Sequence, residues 1–430
     1  MGMLGQVKQF HRDQKRFLSS QITASVFNNI ISGVFMTGLL LYIGVAPSRT
    51  GIFLSIPLLA NIFQVLLGRM WSRFRDYKSA MNRLILISRY GILSVAIIPL
   101  VMRGMPIWIR VCAAGIILTV SYTLAASAGI HLNFWMVSTV DTGMQGTFFS
   151  FRDRIVVAAT LVISLTAAWM LDRLETCGME YAGFALAFFF AAILAVADYQ
   201  IIRRIEYAGT EHNAGRDRII PVRHILEENR RFVKFLIYIL CLNMALNMAN
   251  PYYNSYMLDS LKLKYIQVTC MTALQVVVQI AVSAVWEKIG NRIRWSRILN
   301  TTVMILGMQF FVWAFVTEKT IFLLPIIFVT SGMISTGLVT GQFMIPYEFI
   351  DRNRAMACLS ISTGVAAAGG FAGSIAGSML ISSLKECTIF VGSISIGSMQ
   401  INMMVSGAAL LLTVLYAEYI FAGESDKHTF

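Results

Sequence analysis

Hydrophobic positions in this chain do not alternate with polar ones. They run together in long blocks separated by short polar turns. A helix needs about 20 apolar residues to cross a bilayer. By that measure the pattern predicts twelve spans, at 19–46, 50–70, 83–102, 106–130, 150–172, 181–202, 231–259, 265–286, 296–316, 320–343, 356–383 and 398–421. One connection is long: Arg203 to Arg230 is polar and charged and splits the chain near its middle. Within it Pro221 opens an amphipathic stretch, PVRHILEENRRF, with Ile225, Leu226 and Phe232 as its apolar residues. That stretch reads as a helix on the cytoplasmic membrane surface, with a solvated linker as the plainer alternative. The expected organisation is a six-helix half over 1–202, a central loop over 203–230, and a second six-helix half over 231–430.

Composition places these blocks in a membrane. The 430 residues are 57% hydrophobic and 13% charged, with mean hydropathy +0.68. A soluble chain is about 45–50% apolar and about 25% charged. The net charge of +13 would suggest nucleic acid in a soluble protein. Here it reads as the excess of cytoplasmic Lys and Arg that orients membrane proteins, so no nucleic acid is expected. With the N-terminus inside, only Arg49, Arg103, Arg110, Arg173, Lys262, Lys264, Lys319 and Lys385 of the 35 basic residues fall in outer loops. Both termini are then cytoplasmic, and the expected location is the plasma (inner) membrane, with lipid as the surrounding partner and a monomer as the assembly. The six Cys are scattered without a CxxC, and Cys177 and Cys387, in outer loops, are expected to be free thiols.

The polar positions inside the spans carry the candidate chemistry. Asn243, Asn247, Asn250 and Asn254 follow one another at spacings of four, three and four in the seventh span. At about 100° per residue they share one helix face. A carboxamide facing lipid without a partner costs roughly 2–7 kcal/mol. The stripe therefore faces protein, as glue between helices, or a wet cavity, as the wall of a solute pathway. Pro251 interrupts that helix and frees a carbonyl one turn back. Tyr253, about 100° off the stripe, is expected to flank a solute as a stacking surface. A shift of 215, half the chain, places Asn28 on Asn243, Gln64 on Gln279 and Trp71 on Trp286, as two parallel repeats would. Gln275 and Gln279 share a face of the eighth span. Arg89, two turns into the third span, either neutralises an anionic solute or snorkels to the surface. No acid lies in the middle of spans one, four, seven or ten, so proton coupling is not supported.

Two loops carry a family resemblance. After the second span stand Gly68, Ser72, Arg73, Arg75, Asp76 and Tyr77; after the eighth stand Ser283, Glu287, Lys288, Gly290, Asn291 and Arg292. The major facilitator superfamily has in this loop a Gly, three residues, an acid, a base, any residue, a Gly and two bases. The first copy keeps Gly68 and Arg73; the second keeps Glu287, Lys288, Gly290 and Arg292. With twelve spans and a central loop, the chain resembles that family over its whole length. The resemblance implies an all-α fold of two pseudo-symmetric six-helix halves. It further implies a cavity lined by spans one, four, seven and ten that opens alternately to each side, and a cytoplasmic clamp made by Gly68, Arg73, Glu287, Lys288, Gly290 and Arg292. In the eleventh span Gly369, Gly373 and Gly377 recur every fourth residue and predict close helix packing.

Enzyme classes find no support: HExxH, GxSxG and the P-loop are absent, and no cofactor or metal is expected. The sequence reads as a secondary-active transporter of a small polar or amphipathic solute. Its expected solute-facing residues are Asn28, Arg89, Asn243, Asn247, Asn250, Tyr253, Asn254 and Gln275. A non-transporting receptor or scaffold of the same fold is the alternative. If the clamp holds the cytoplasmic side shut, Glu287→Gln shifts the population toward the inward-open state. Labelling of cavity cysteines from the cytoplasmic side should then rise, and unchanged labelling would remove the gating role.

Overall fold

The computed structural model describes residues 11–71, 77–140, 145–205, 229–290, 292–349, 352–391 and 394–421. Most of the expected amphipathic stretch after Pro221, together with Arg73 and both termini, lies outside these residues. The helices are α1 Arg12–Ile30, α2 Gly33–Ile43, α3 Pro47–Leu54, α4 Ile56–Trp71, α5 Tyr77–Ser94, α6 Ile107–Thr139 and α7 Gln145–Thr176. They continue as α8 Glu180–Arg203, α9 Arg230–Ala249, α10 Tyr265–Gly290, α11 Trp295–Trp313, α12 Leu323–Phe349, α13 Arg352–Ser383 and α14 Ser398–Phe421. Among the described residues ten helical segments are long and apolar enough to cross a membrane. The second span (α3 and α4) and the ninth (α11) complete the twelve, and the molecule is a multi-pass membrane protein.

Four spans are not continuous α-helices; in the third, α5 gives way to a 3-10 turn at Val95–Ile97 and a short helical turn at Ile98–Val101. The first breaks at Ile31 and Ser32, between α1 and α2, and Gly33 adopts φ +55. That left-handed backbone strains any residue with a Cβ and suits glycine. The second breaks at Ser55, whose hydroxyl donates to Ile52 O at 2.9 Å. In the seventh, α9 gives way to a 3-10 turn at Asn250–Tyr252 and a π-helical turn at Tyr256–Ser260. Pro251 has no N–H, so the carbonyl of Asn247 loses its helical partner. The Ser374 hydroxyl replaces it at 3.2 Å, and Asn402 Nδ2 donates to the neighbouring Met248 O at 2.6 Å.

The chain forms two compact units. Unit 1 holds 1–46, 59–215 and 264–269; unit 2 holds 47–58, 216–263 and 270–430. The first turn of the eighth span therefore groups with unit 1, and the N-terminal part of the second with unit 2. In unit 1 both oxygens of Asp172, at the end of α7, accept from backbone N–H groups of α10, Tyr265 and Ile266, each at 2.8 Å. A buried carboxylate there answers the open N–H groups of a helix start. In unit 2 the Thr50 and Ser255 hydroxyls lie 2.5 Å apart, and Gly51 sits against the Tyr252 ring. In the sequence Asp172 ends an apolar run, and nothing there marks its partner.

Unit 2 is built on contact between α9 and α13. A Cβ at Gly369, Gly373 or Gly377 would run into the backbone of Leu240, Met244 or Met248 respectively. Those carbonyls recur every fourth residue along one side of α9, so the glycine ladder lays backbone on backbone. Asn229 begins α9 by accepting from Phe232 N at 3.0 Å. α11 packs between α12 and α14, with Trp313 fully buried. Two short strands, Ile389–Val391 and Ile394–Ile396, pair antiparallel between α13 and α14. The all-helical reading missed them, although the alternation in TIFVGSISI around Gly392 is a hairpin signal. None of the six Cys forms a disulfide.

Gly373→Ala forces a methyl group onto Met244 O and is expected to destabilise the protein by about 1–3 kcal/mol. Gly364 on the same helix has nothing within 4 Å of an added Cβ. Gly364→Ala should leave thermal unfolding in detergent unchanged, and equal effects at the two sites would remove the packing role.

Candidate functional site

On α9 one face is locked and the other is not. The locked face carries Leu242, Ala245, Leu246 and Ala249 and meets Ser406, whose hydroxyl donates to Ala245 O at 2.5 Å. On the other face Asn243 Nδ2 donates to Ile239 O at 2.9 Å and to Gln342 Oε1 of α12 at 3.2 Å. Asn247 Nδ2 donates to Asn243 O at 2.9 Å. Asn243, Asn247 and Asn254 are half-buried and Asn250 is exposed. Of the four, only Asn243 reaches a side chain of another helix among the described residues. Glue between helices would demand a fixed partner for each amide. Gln342 lies in an apolar run, and sequence reading did not single it out.

Tyr253 packs against other aromatic side chains. Its ring stacks on Trp313 at 4.7 Å between centroids and 9° between planes, and meets Phe310 edge-on at 5.8 Å. The surface expected to face a solute is thus covered on one side by Trp313. Gln275 and Gln279 are half-buried on α10, and the backbone carbonyl of Gln275 meets Gly332 of α12.

In unit 1 the break in the first span opens a second polar patch. Asn28, Ser32 and Gly33 are exposed there, in the middle of an otherwise apolar span, and a Cβ at Gly33 would meet nothing within 4 Å. The Ser32 side chain does not cap α2, and the first N–H groups of α2 have no preceding turn to bond. The signal was present as Asn28-Asn29 followed by Ser32-Gly33, but the run was read as one continuous helix.

Arg89 is occupied. It forms an ion pair with Asp198 of α8; the side chains are 9% and 0% exposed. Ser20 and Thr23 of α1 donate to Asp198 Oδ1 at 2.5 and 3.3 Å, and the Arg89 guanidinium lies 5.0 Å from the Phe27 ring. Sequence reading placed Asp198 near the end of its span; the structure buries it among three helices. A solute anion at Arg89 would have to compete with a carboxylate already in contact. Snorkelling is excluded by the same pairing, because the guanidinium points to α8.

Of the clamp residues, Gly68 lies in α4, Arg73 lies outside the described residues, and so does the side chain of Glu287. Lys288 and Arg292 are exposed. Gly290 ends α10, where the Trp295 ring occupies the space a Cβ would take. Nearby, Trp286 Nε1 donates to Met333 O at 2.6 Å.

No family profile and no characterised protein matches the chain by sequence. Solved structures do match by fold. The nucleoside transporter NupG superposes with TM-score 0.69 at 10% identity, over 96% of this chain and 99% of that one. A bacterial homologue of the iron transporter ferroportin, in its inward-facing state, gives 0.68 at 15% identity over 95% and 98%. A D-xylose-proton symporter gives 0.69 at 13% identity over 94% and 96%. The chain has the major facilitator fold, with twelve spans in a multi-pass membrane protein.

Asp198→Asn leaves Arg89 buried without its counter-charge and is expected to cost about 3–5 kcal/mol. Replacing both partners, Arg89→Met with Asp198→Leu, should recover most of that loss. Chemical denaturation of the three proteins in one detergent checks it.

Proposed function

We propose that this protein is a secondary-active transporter that moves a small polar or amphipathic solute by alternating access. The observation that carries the reading is the interruption of the first and seventh spans, with the helix start at Ser32 and Gly33 uncapped and the Asn250 and Asn254 amides beside a break whose carbonyls Ser374 and Asn402 answer. Backbone that leaves the helix at membrane depth is tolerated only where protein or water satisfies it. Broken spans with open termini are where transporters of this architecture hold their solutes. The solute-facing residues in this reading are Asn28, Asn243, Asn247, Asn250, Asn254 and Gln275. Arg89 serves as a matched internal charge and Tyr253 as the aromatic floor behind the stripe. The fold-matched proteins are named for a nucleoside, a sugar and a metal, so the fold does not choose among cargoes.

Uptake into proteoliposomes of the purified full-length chain, against empty liposomes, tests the class. No uptake across a broad solute panel, with binding retained, would favour a receptor. At Asn250 and Asn254, which flank Pro251, Ala is expected to lower solute affinity two- to tenfold, the equivalent of one neutral hydrogen bond. Melting temperature should not change, because water replaces the lost amide. Lower melting with normal affinity at both would make them structural.

A further inference from the structure

We infer that the Asn243–Gln342 pair selects an uncharged solute carrying a hydrogen-bond donor and an acceptor on adjacent atoms, the planar edge of a carboxamide, lactam or imide. This rests on the transport reading above and narrows its substrate class.

The two ends of a carboxamide have nearly the same shape, so only their bonding fixes which way each points. Here it is fixed. Ile239 O can only accept, so the Asn243 nitrogen must face it, at 2.9 Å. The second hydrogen of that nitrogen goes to Gln342 Oε1, at 3.2 Å. Both hydrogens of Asn243 Nδ2 are then used, and Oδ1 remains as a pure acceptor. Gln342, with its oxygen committed, offers Nε2 as a pure donor. Neither remaining atom has a partner among the described residues, and both residues are half-buried rather than sealed. The pair thus presents one acceptor and one donor with no freedom to exchange them.

That polarity discriminates between solutes. A carboxylate brings two acceptors and sets one of them against Asn243 Oδ1. An ammonium group brings only donors and sets one against Gln342 Nε2. Each mismatch leaves a polar atom desolvated and unbonded, which costs more than a missing bond. A vicinal diol can match the pattern, but it must freeze its torsions to do so. A planar amide edge carries the donor and acceptor already aligned. Along α9 the free Asn247 Oδ1 extends the row by a further acceptor.

The test uses purified full-length protein in detergent for ligand-induced thermal stabilisation, and proteoliposomes for uptake. The probes are uracil and nicotinamide, which have the edge; 1,3-dimethyluracil, which lacks the donors; orotate, which adds a charge; and D-xylose, which has hydroxyls alone. Uracil or nicotinamide should bind at least tenfold more tightly than dimethyluracil, orotate and xylose. Gln342→Glu, which puts an acceptor in place of the donor at the same size, should reduce that preference two- to tenfold or more. Gln342→Met, of the same length with no charge, repeats the test where melting shows that the Glu variant misfolds. Equal binding of uracil and dimethyluracil, a preference for orotate, or a Gln342 variant that folds and keeps the full preference would each overturn the inference. Uptake of xylose or orotate without uracil or nicotinamide overturns the edge and leaves the transport reading standing. Uptake of none of the five overturns both.

Discussion

Inside a bilayer no backbone N–H or C=O group can turn to water, and every departure from a helix must be answered by protein or by a wet cavity. The seventh span shows the first solution. Pro251 removes one helical hydrogen bond, and Ser374 and Asn402 supply donors to the carbonyls beside the break. Those donors stand on α13 and α14, the helices that the glycine ladder and the Ser406 contact hold against α9. Close packing is therefore what makes the break tolerable on that side. The first span shows the second solution: at Ser32 and Gly33 no side chain caps the new helix start, and the residues stay open.

The same logic divides α9 into two faces with different duties. One is fastened by buried apolar side chains and by the Ser406 hydroxyl on Ala245 O. The other carries four amides, of which Asn243 and Asn247 tie their nitrogens to the helix itself and leave their oxygens untied. A rigid helix presenting unsaturated acceptors is a more selective surface than a flexible one, because its bonding pattern is set before a solute arrives.

Much of this was legible in the sequence. Twelve apolar blocks and the glycine ladder are local patterns that correspond to helices and a helix face in the structure, whereas most of the central polar loop lies outside the described residues. Partners were not legible. Gln342, Asp172 and Asp198 sit in apolar runs like ordinary polar exceptions, and only the packing of helices far apart in the chain gives them meaning. Tyr253 shows the same limit from the other side: its angle on the helix can be read locally, but the Trp313 ring about sixty residues on, which covers one of its faces, cannot. The break at Gly33 was missed for a different reason. Hydropathy averages over a window, and two small residues in an apolar run do not lower it enough to show.

The Arg89–Asp198 pair bears on how the protein is made. Membrane chains are synthesised from the N-terminus, so the arginine of the third span reaches the bilayer before the aspartate of the sixth has been polymerised. About a hundred residues separate them, which at 5–20 residues per second is a delay of roughly 5–20 s. During that interval the guanidinium has no counter-charge and must keep to the interface on its long stem. The ion pair thus ties the third span to the sixth, and neither buried charge is matched until both spans are in the bilayer.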